Sequence, residues 1–201
     1  RAAIKGLMNS EYPPSESSLV LGVDFTVVSQ ARVKARQGRL QEAEVDARRA
    51  LLSQLKNQGK YNPNTPRFIA GLADILVEQG RYPEAEQLTR VSLEIIRTVG
   101  IAEDSLINVQ TLSQLGGILN LQRKGRDAIA VFAQIDRAIA SWEPARRQSF
   151  EINGGRISSL YASGQIEAGI AAAEQLVKRQ ISRVGESHFD TASARGTLAI
   201  G

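Results

Sequence analysis

One tract recurs four times along this chain at a spacing near 42 residues, and no other feature restricts the fold as tightly. Gln37-Gly38-Arg39-Leu40-Gln41-Glu42-Ala43-Glu44 returns 42 residues later as Gln79-Gly80-Arg81-Tyr82-Pro83-Glu84-Ala85-Glu86. A third copy, Arg123-Lys124-Gly125-Arg126-Asp127-Ala128-Ile129, aligns through Ala128, 43 residues after Ala85. Its glycine is displaced, so a different turn is expected there. A fourth, Ser163-Gly164-Gln165-Ile166-Glu167-Ala168-Gly169-Ile170, aligns through Ala168, 40 residues after Ala128. A fixed period of this length marks units that cannot bury an apolar face alone and therefore stack.

Each unit reads as helix, tight turn, helix. Ile69, Leu72, Ala73 and Leu76 follow the i, i+3, i+4, i+7 spacing of one helical face. Thr65 is placed as the N-cap with Pro66 at the first helical position, and Gly80 ends the helix. The next helix opens near Tyr82-Pro83 and carries Ala85, Leu88, Val91, Ser92, Ile95 and Ile96. Small residues such as Ala43, Ala47 and Ala50 allow paired helices to approach closely. The segments between units also echo one another. Gly59-Lys60-Tyr61-Asn62-Pro63-Asn64-Thr65 matches Gly185-Glu186-Ser187-His188-Phe189-Asp190-Thr191, and Gly100-Ile101-Ala102-Glu103-Asp104-Ser105 is a looser copy.

Composition agrees with a helical, globular chain. Apolar residues make up 42% of it and charged residues 23%, while Val, Ile and Thr never gather into alternating runs. The net charge of +4 is spread in alternating signs along helix faces, whereas nucleic-acid binders cluster their basic residues. The absence of cysteine excludes disulfides, thiolate metal sites and a Cys nucleophile. No run approaches the roughly 20 apolar residues of a membrane-spanning helix.

The pattern resembles the tetratricopeptide repeat, in its long, roughly 42-residue variety found in kinesin light chains and many bacterial multidomain proteins. The residues that carry the resemblance are Leu72-Ala73, Gly80-Arg81-Tyr82, Glu84-Ala85-Glu86 and Ser92-Leu93-Glu94-Ile95. The inter-repeat signature appears as Asn62-Pro63-Asn64-Thr65 and His188-Phe189-Asp190-Thr191. The chain departs from the family at Lys34, where an apolar or aromatic residue is usual, and around Asn153-Gly154-Gly155-Arg156, where two helices are expected to pack irregularly.

The resemblance implies an all-α, right-handed superhelical solenoid of stacked antiparallel hairpins. Residues 1–16 are assigned to the tail of a preceding helix plus a linker. The repeats are placed at about 17–59, 60–102, 103–142 and 143–186, with the first helix of a fifth at 187–201. The chain reads as a fragment of a longer bacterial protein with its original N-terminus missing. The resemblance implies a role in regulating an effector domain outside it. The compartment, cytoplasmic or periplasmic, is left open.

Catalysis finds no support in the residue pattern. His188 is the only histidine, and no motif surrounds it with a nucleophile and an orienting acid; it is read as a local capping residue, with a helix start at Ser187. The carboxylates Glu42, Glu44, Glu84 and Glu86 sit at helix starts, where they complement the helix dipole. Gly116-Gly117 and Gly154-Gly155 lack the strand and Gly-Lys-Ser/Thr context of a phosphate loop and are read as sites of close packing or kinking. Trp142, the only tryptophan, is expected to lie buried beneath an inter-repeat turn.

The expected function is binding of a protein or peptide along a concave groove lined by the first helix of each repeat, with no cofactor, metal or catalytic residue. The candidate groove residues are Gln30, Lys34, Arg67, Ala70, Asp74, Gln110, Ser113, Asn120, Asn153 and Arg156. The paired asparagines of carboxylate-clamp relatives are replaced by Ala70-Gly71 and Ser113-Gln114, which argues against that mode. Two rival readings are a structural or homodimerising module working through an exposed Leu198 and Ile200, and a nucleic-acid binder suggested only by a pI near 9.6.

Overall fold

The computed structural model describes residues 16–199, with side chains from residue 26 onward. Of the preceding-helix tail and linker assigned to residues 1–16, residues 1–15 lie outside the described residues, and Glu16 opens a helix. Ten helices and no strand occupy the described residues: α1 Glu16–Arg36, α2 Leu40–Gln58, α3 Thr65–Glu78, α4 Tyr82–Thr98, α5 Leu106–Leu121, α6 Gly125–Ala138, α7 Pro144–Glu151, α8 Gly154–Ala162, α9 Ile166–Val184 and α10 Phe189–Leu198. They fall into two compact units that divide between Ile101 and Ala102.

In the first unit α1 pairs with α2, α3 pairs with α4, and α3 packs on both α1 and α2. Being flanked on two sides, α3 buries more than the single stripe read from its sequence. Phe68, Ile69, Gly71, Leu72, Ala73, Ile75 and Leu76 are all buried. Each fully buried Leu, Ile or Phe contributes about 1.5–3 kcal/mol through the hydrophobic effect, which makes α3 the anchor of this unit. Gly71 permits the close approach: a Cβ there would lie 2.6 Å from Cγ1 of Val28 on α1. In α4 the buried stripe is Ala85, Thr89, Ser92, Ile95 and Ile96, with Leu88 and Val91 at its margins.

In the second unit α5 pairs with α6, α8 packs on α5, α6 and α9, and α10 packs on α8 and α9. Gly116 lies against the Phe132 ring, 2.8 Å from a would-be Cβ to Cζ, so close packing explains this glycine. The first helix of the fourth repeat is broken, as the irregular sequence implied. Ile152 and Asn153 are extended between α7 and α8, and α7 buries no residue at all.

All four turns inside the hairpins share one geometry, including the third, which the displaced glycine had suggested would differ. Gly38, Gly80 and Gly164 have φ of 78°, 74° and 81°, and Arg123 takes the same left-handed conformation at φ 60°. In each turn the following N–H reaches back five residues, from Arg39 to Lys34, Arg81 to Leu76, Lys124 to Leu119 and Gln165 to Leu160, at 2.9–3.0 Å. This is the Schellman closure, which satisfies the carbonyls a helix end leaves over. The glycine is absent from the third turn, yet the conformation is retained.

Aligning by the left-handed residue corrects the fourth copy. Gly169, not Ala168, occupies the place of Ala43, Ala85 and Ala128; Gly169 is buried whereas Ala168 is exposed. Gly169 is required to be small because the Tyr161 ring lies against it.

The inter-repeat segments also behave alike, but not by the capping assigned to Thr65. Thr65 is the first residue of α3, fully buried, and its hydroxyl donates to the Gly59 carbonyl at 3.4 Å. Thr191 repeats the contact to the Gly185 carbonyl at 2.7 Å. At the last helix His188 is the cap, its Nδ1 accepting from the Asp190 N–H at 3.1 Å, and the helix starts at Phe189 rather than at Ser187. Trp142 is buried, donates from Nε1 to the Asp104 carbonyl at 3.0 Å, and is stacked by Arg146 and edged by Phe150.

Candidate partner-binding face

The rows of the repeat decide which side chains can face a partner. Shifting by the 42-residue spacing pairs Arg32 with Asp74, Ala35 with Val77 and Arg36 with Glu78. Arg32, Arg36 and Glu78 are exposed and Ala35, Asp74 and Val77 half-buried on one side of α1 and α3. They line, with Ile75, an open depression of about 490 Å³. Its floor is the apolar trio Ala35, Ile75 and Val77; α1 supplies a basic wall and α3 an acidic one. Arg32 Nη2 and Asp74 Oδ2 meet across it at 3.0 Å, with both side chains about half exposed, 51% and 49%. An ion pair this wet is worth at most about 1 kcal/mol, so an incoming charged group can open it at little cost.

The candidate residues separate under this geometry. In the first unit Asp74 lies in the depression, and Arg67 (exposed) and Ala70 (half-buried) continue the same helical row on α3. Gln30 and Lys34 belong to another row. The 42-residue shift places them on Leu72 and Leu76, which are core residues. Gln30 is exposed, while Lys34 is held by Asp46 of α2 at 2.6 Å. Lys34 is thus the polar substitute for a core residue, kept tolerable by a carboxylate on its own hairpin partner. Arg32, Arg36 and Glu78 were missed, although subtracting the period from Asp74, Val77 and Glu78 points to Arg32, Ala35 and Arg36.

In the second unit Gln110 is exposed and Ser113 half-buried on α5. Asn120 is consumed by internal bonds: it donates to the Gly155 carbonyl and accepts from Ser159 Oγ at 2.8 Å. Asn153 caps α8, accepting from the Arg156 N–H at 3.0 Å and donating to the Phe150 carbonyl at 3.0 Å. Arg156 lies over the Phe132 ring and ties the Glu151 and Phe132 carbonyls to Asp136. Asn153 and Arg156 therefore secure the broken helix.

A second polar cluster joins the hairpins of the first unit. Glu44 accepts from Gln79 at 2.9 Å and pairs with Arg48 at 2.7 Å and Arg81 at 2.8 Å. Burial pushes its carboxyl upward, but the hydrogen bonds from Gln79, Arg48 and Arg81 outweigh this and hold it below 4.5. Arg81 also grips Glu84 at 2.6 Å, and its guanidinium is raised by the bonds to Glu84 and Glu44. The carboxylates at the helix starts are thus clasps as well as dipole partners.

Among the described residues no group of three His, Asp or Glu is placed to hold a metal, and no helix is long and apolar enough to cross a membrane. Leu198, expected to be exposed, is partly buried beside Ile157, Ala173, Leu176 and Ala194, and Ile200 lies outside the described residues.

Comparison with known proteins places this geometry. A family profile for the tetratricopeptide repeat matches residues 26–98. No curated sequence matches the chain significantly. The structure is similar to the nearly identical TPR-like repeats of a kinesin light chain candidate from Podosopora anserina. The TM-score is 0.68 at 19% identity, covering 95% of this chain and 87% of that one. It is also similar to BtubC (BKLC) from P. vanneervenii, with a TM-score of 0.73 at 16% identity, covering 99% of this chain and 77% of the other. These likenesses show the fold: the chain is a helical-repeat solenoid of the architecture seen in tetratricopeptide-type repeats, and the repeat profile itself matches residues 26–98.

Proposed function

We propose that the chain is a non-enzymatic scaffold that binds an extended segment of another protein along the exposed side of α1 and α3. The observation that carries this reading is the depression between a basic and an acidic wall over an apolar floor. Such a trough suits a peptide with an apolar side chain on Ala35, Ile75 and Val77, an acidic group toward Arg32 or Arg36 and a basic group toward Asp74 or Glu78. Specificity then comes from the order of charges and affinity from backbone contacts plus the small apolar floor. The fold supports a scaffold role, since stacked helical repeats present long surfaces for partners.

The test is selection of binders from a random-peptide display library, followed by wall reversal. Selected peptides should lose affinity for an Arg32→Glu/Arg36→Glu variant and for an Asp74→Lys/Glu78→Lys variant. They should regain it when their own charges are reversed. A Gln87→Glu change on the outer side of α4, where Gln87 is exposed, should leave binding unchanged. Peptides indifferent to both reversals would remove the assignment.

A further inference from the structure

The second unit holds a cationic depression unrelated to the α1/α3 trough. It lies between α7 and α9, has a volume of about 400 Å³, and is lined by Gln148 and Ser149 from α7 and Arg179, Gln180, Ser182 and Arg183 from α9. No carboxylate lines it. Arg183 has a counter-charge outside, Asp190 at 2.7 Å. Arg179 has none among the described residues. Its two terminal nitrogens donate to backbone carbonyls, Gln148 at 2.6 Å and Ile152 at 2.8 Å. A guanidinium carries five N–H donors, so donors remain after these two bonds. Burial, reinforced by the neighbouring Arg183 charge, depresses the Arg179 guanidinium. The Gln180 amide oxygen is occupied by Arg183 Nε at 3.1 Å, which leaves its N–H groups as donors.

We propose that this depression is an oxyanion site, taking a phosphate-like group between Arg179 and Arg183. Three facts converge on an anion. Arg179 meets the carbonyls at the C-terminal end of α7, which offset part of its charge, but no carboxylate neutralises it; Arg183, one helical turn away, adds to the same field once an incoming anion competes with its exposed Asp190 partner. Arginine forks match the geometry of tetrahedral oxyanions. The third fact concerns α7, which buries no residue and is fastened to α9 by the two Arg179 bonds. An anion bridging Arg179 and Arg183 would stiffen that fastening, so binding and the order of α7 are coupled. The group could be free or carried on a phosphorylated side chain of a partner.

The experiment titrates the full chain with inorganic phosphate at constant ionic strength, chloride making up the balance, and follows hydrogen exchange of residues 140–153. Phosphate should slow exchange there in a saturable way that chloride does not reproduce. Arg183→Gln leaves the Arg179 clasp in place and should weaken the apparent affinity about tenfold, the worth of one charge-assisted contact. Lys178→Gln, an exposed neighbour outside the depression, should leave the titration unchanged. A phosphoserine peptide that competes at lower concentration than phosphate assigns the site to a modified partner; competition only at equal or higher concentration assigns it to the free anion. Identical protection by phosphate and chloride, or an Arg183→Gln titration that superimposes on the wild type, would overturn the proposal.

Discussion

Arg123 occupies, with φ 60°, a conformation that its three counterparts fill with glycine. A non-glycine residue in the left-handed region costs about 1–2 kcal/mol through the Cβ–carbonyl contact. Arg123→Gly relieves that contact and loses an exposed side chain. It also gives the unfolded chain more freedom, a penalty of about 0.5–1 kcal/mol. The balance is a stabilisation of about 0.5 kcal/mol, or roughly 1–2 °C in Tm for a chain of this size. Gly80→Ala runs the same arithmetic backward: it imports the left-handed strain and recovers only part of it from the unfolded state, for a loss of about 1 kcal/mol. Denaturant titration is the assay. The single tryptophan, Trp142, is buried within the second unit and reports on its unfolding by fluorescence, while far-ultraviolet circular dichroism follows the whole chain. Opposite signs for the two variants are required. Destabilisation by Arg123→Gly, equal in direction to Gly80→Ala, would refute the claim that the third turn is the same turn in a strained form.

Three further outcomes rest on the glycine environments and on the Glu44 cluster. Gly71→Ala places a methyl 2.6 Å from Cγ1 of the stiff Val28 side chain and should cost about 1–3 kcal/mol by overpacking; Val28→Ala in the same molecule should recover most of it. Gly117→Ala meets nothing within 4 Å and should instead gain up to about 1 kcal/mol from helix propensity, measured in the same titrations. Glu44 has a folded-state pKa below its ordinary 4.5, so its contribution is present above 4.5 and is lost as pH falls through the lowered value. The stability difference between wild type and Glu44→Gln should therefore be largest at neutral pH and close under acid. A difference that grows on acidification would show that the Gln79, Arg48 and Arg81 bonds do not control this carboxyl.

How far the sequence could be read depended on whether a residue's role was set by spacing or by its neighbours in space. The hairpins and the tight turns follow from spacing, because a 42-residue period and a 3.6-residue helical repeat both survive in one dimension. The third turn was misread because glycine was taken as the marker, when the physical requirement is a left-handed residue followed by a bond spanning five residues. Arg123 meets that requirement at a cost. The same substitution of marker for requirement misplaced the fourth copy by one residue, on Ala168, when the constraint was the space left by Tyr161 beside Gly169. On the candidate face, Asp74 could be placed from its row because its own repeat is regular. Lys34, Asn153 and Arg156 look like groove residues because they are polar where the repeat is apolar, yet each is bonded inward, to Asp46, to the α8 cap and to Asp136 respectively. A polar residue in a core row is therefore ambiguous in one dimension: it marks either a binding surface or an internal clasp, and only the partner's position decides. For Arg32 the row alone suffices. It stands one period before Asp74 with the opposite charge, so the 42-residue repeat places a cation and an anion side by side on successive first helices of the first unit.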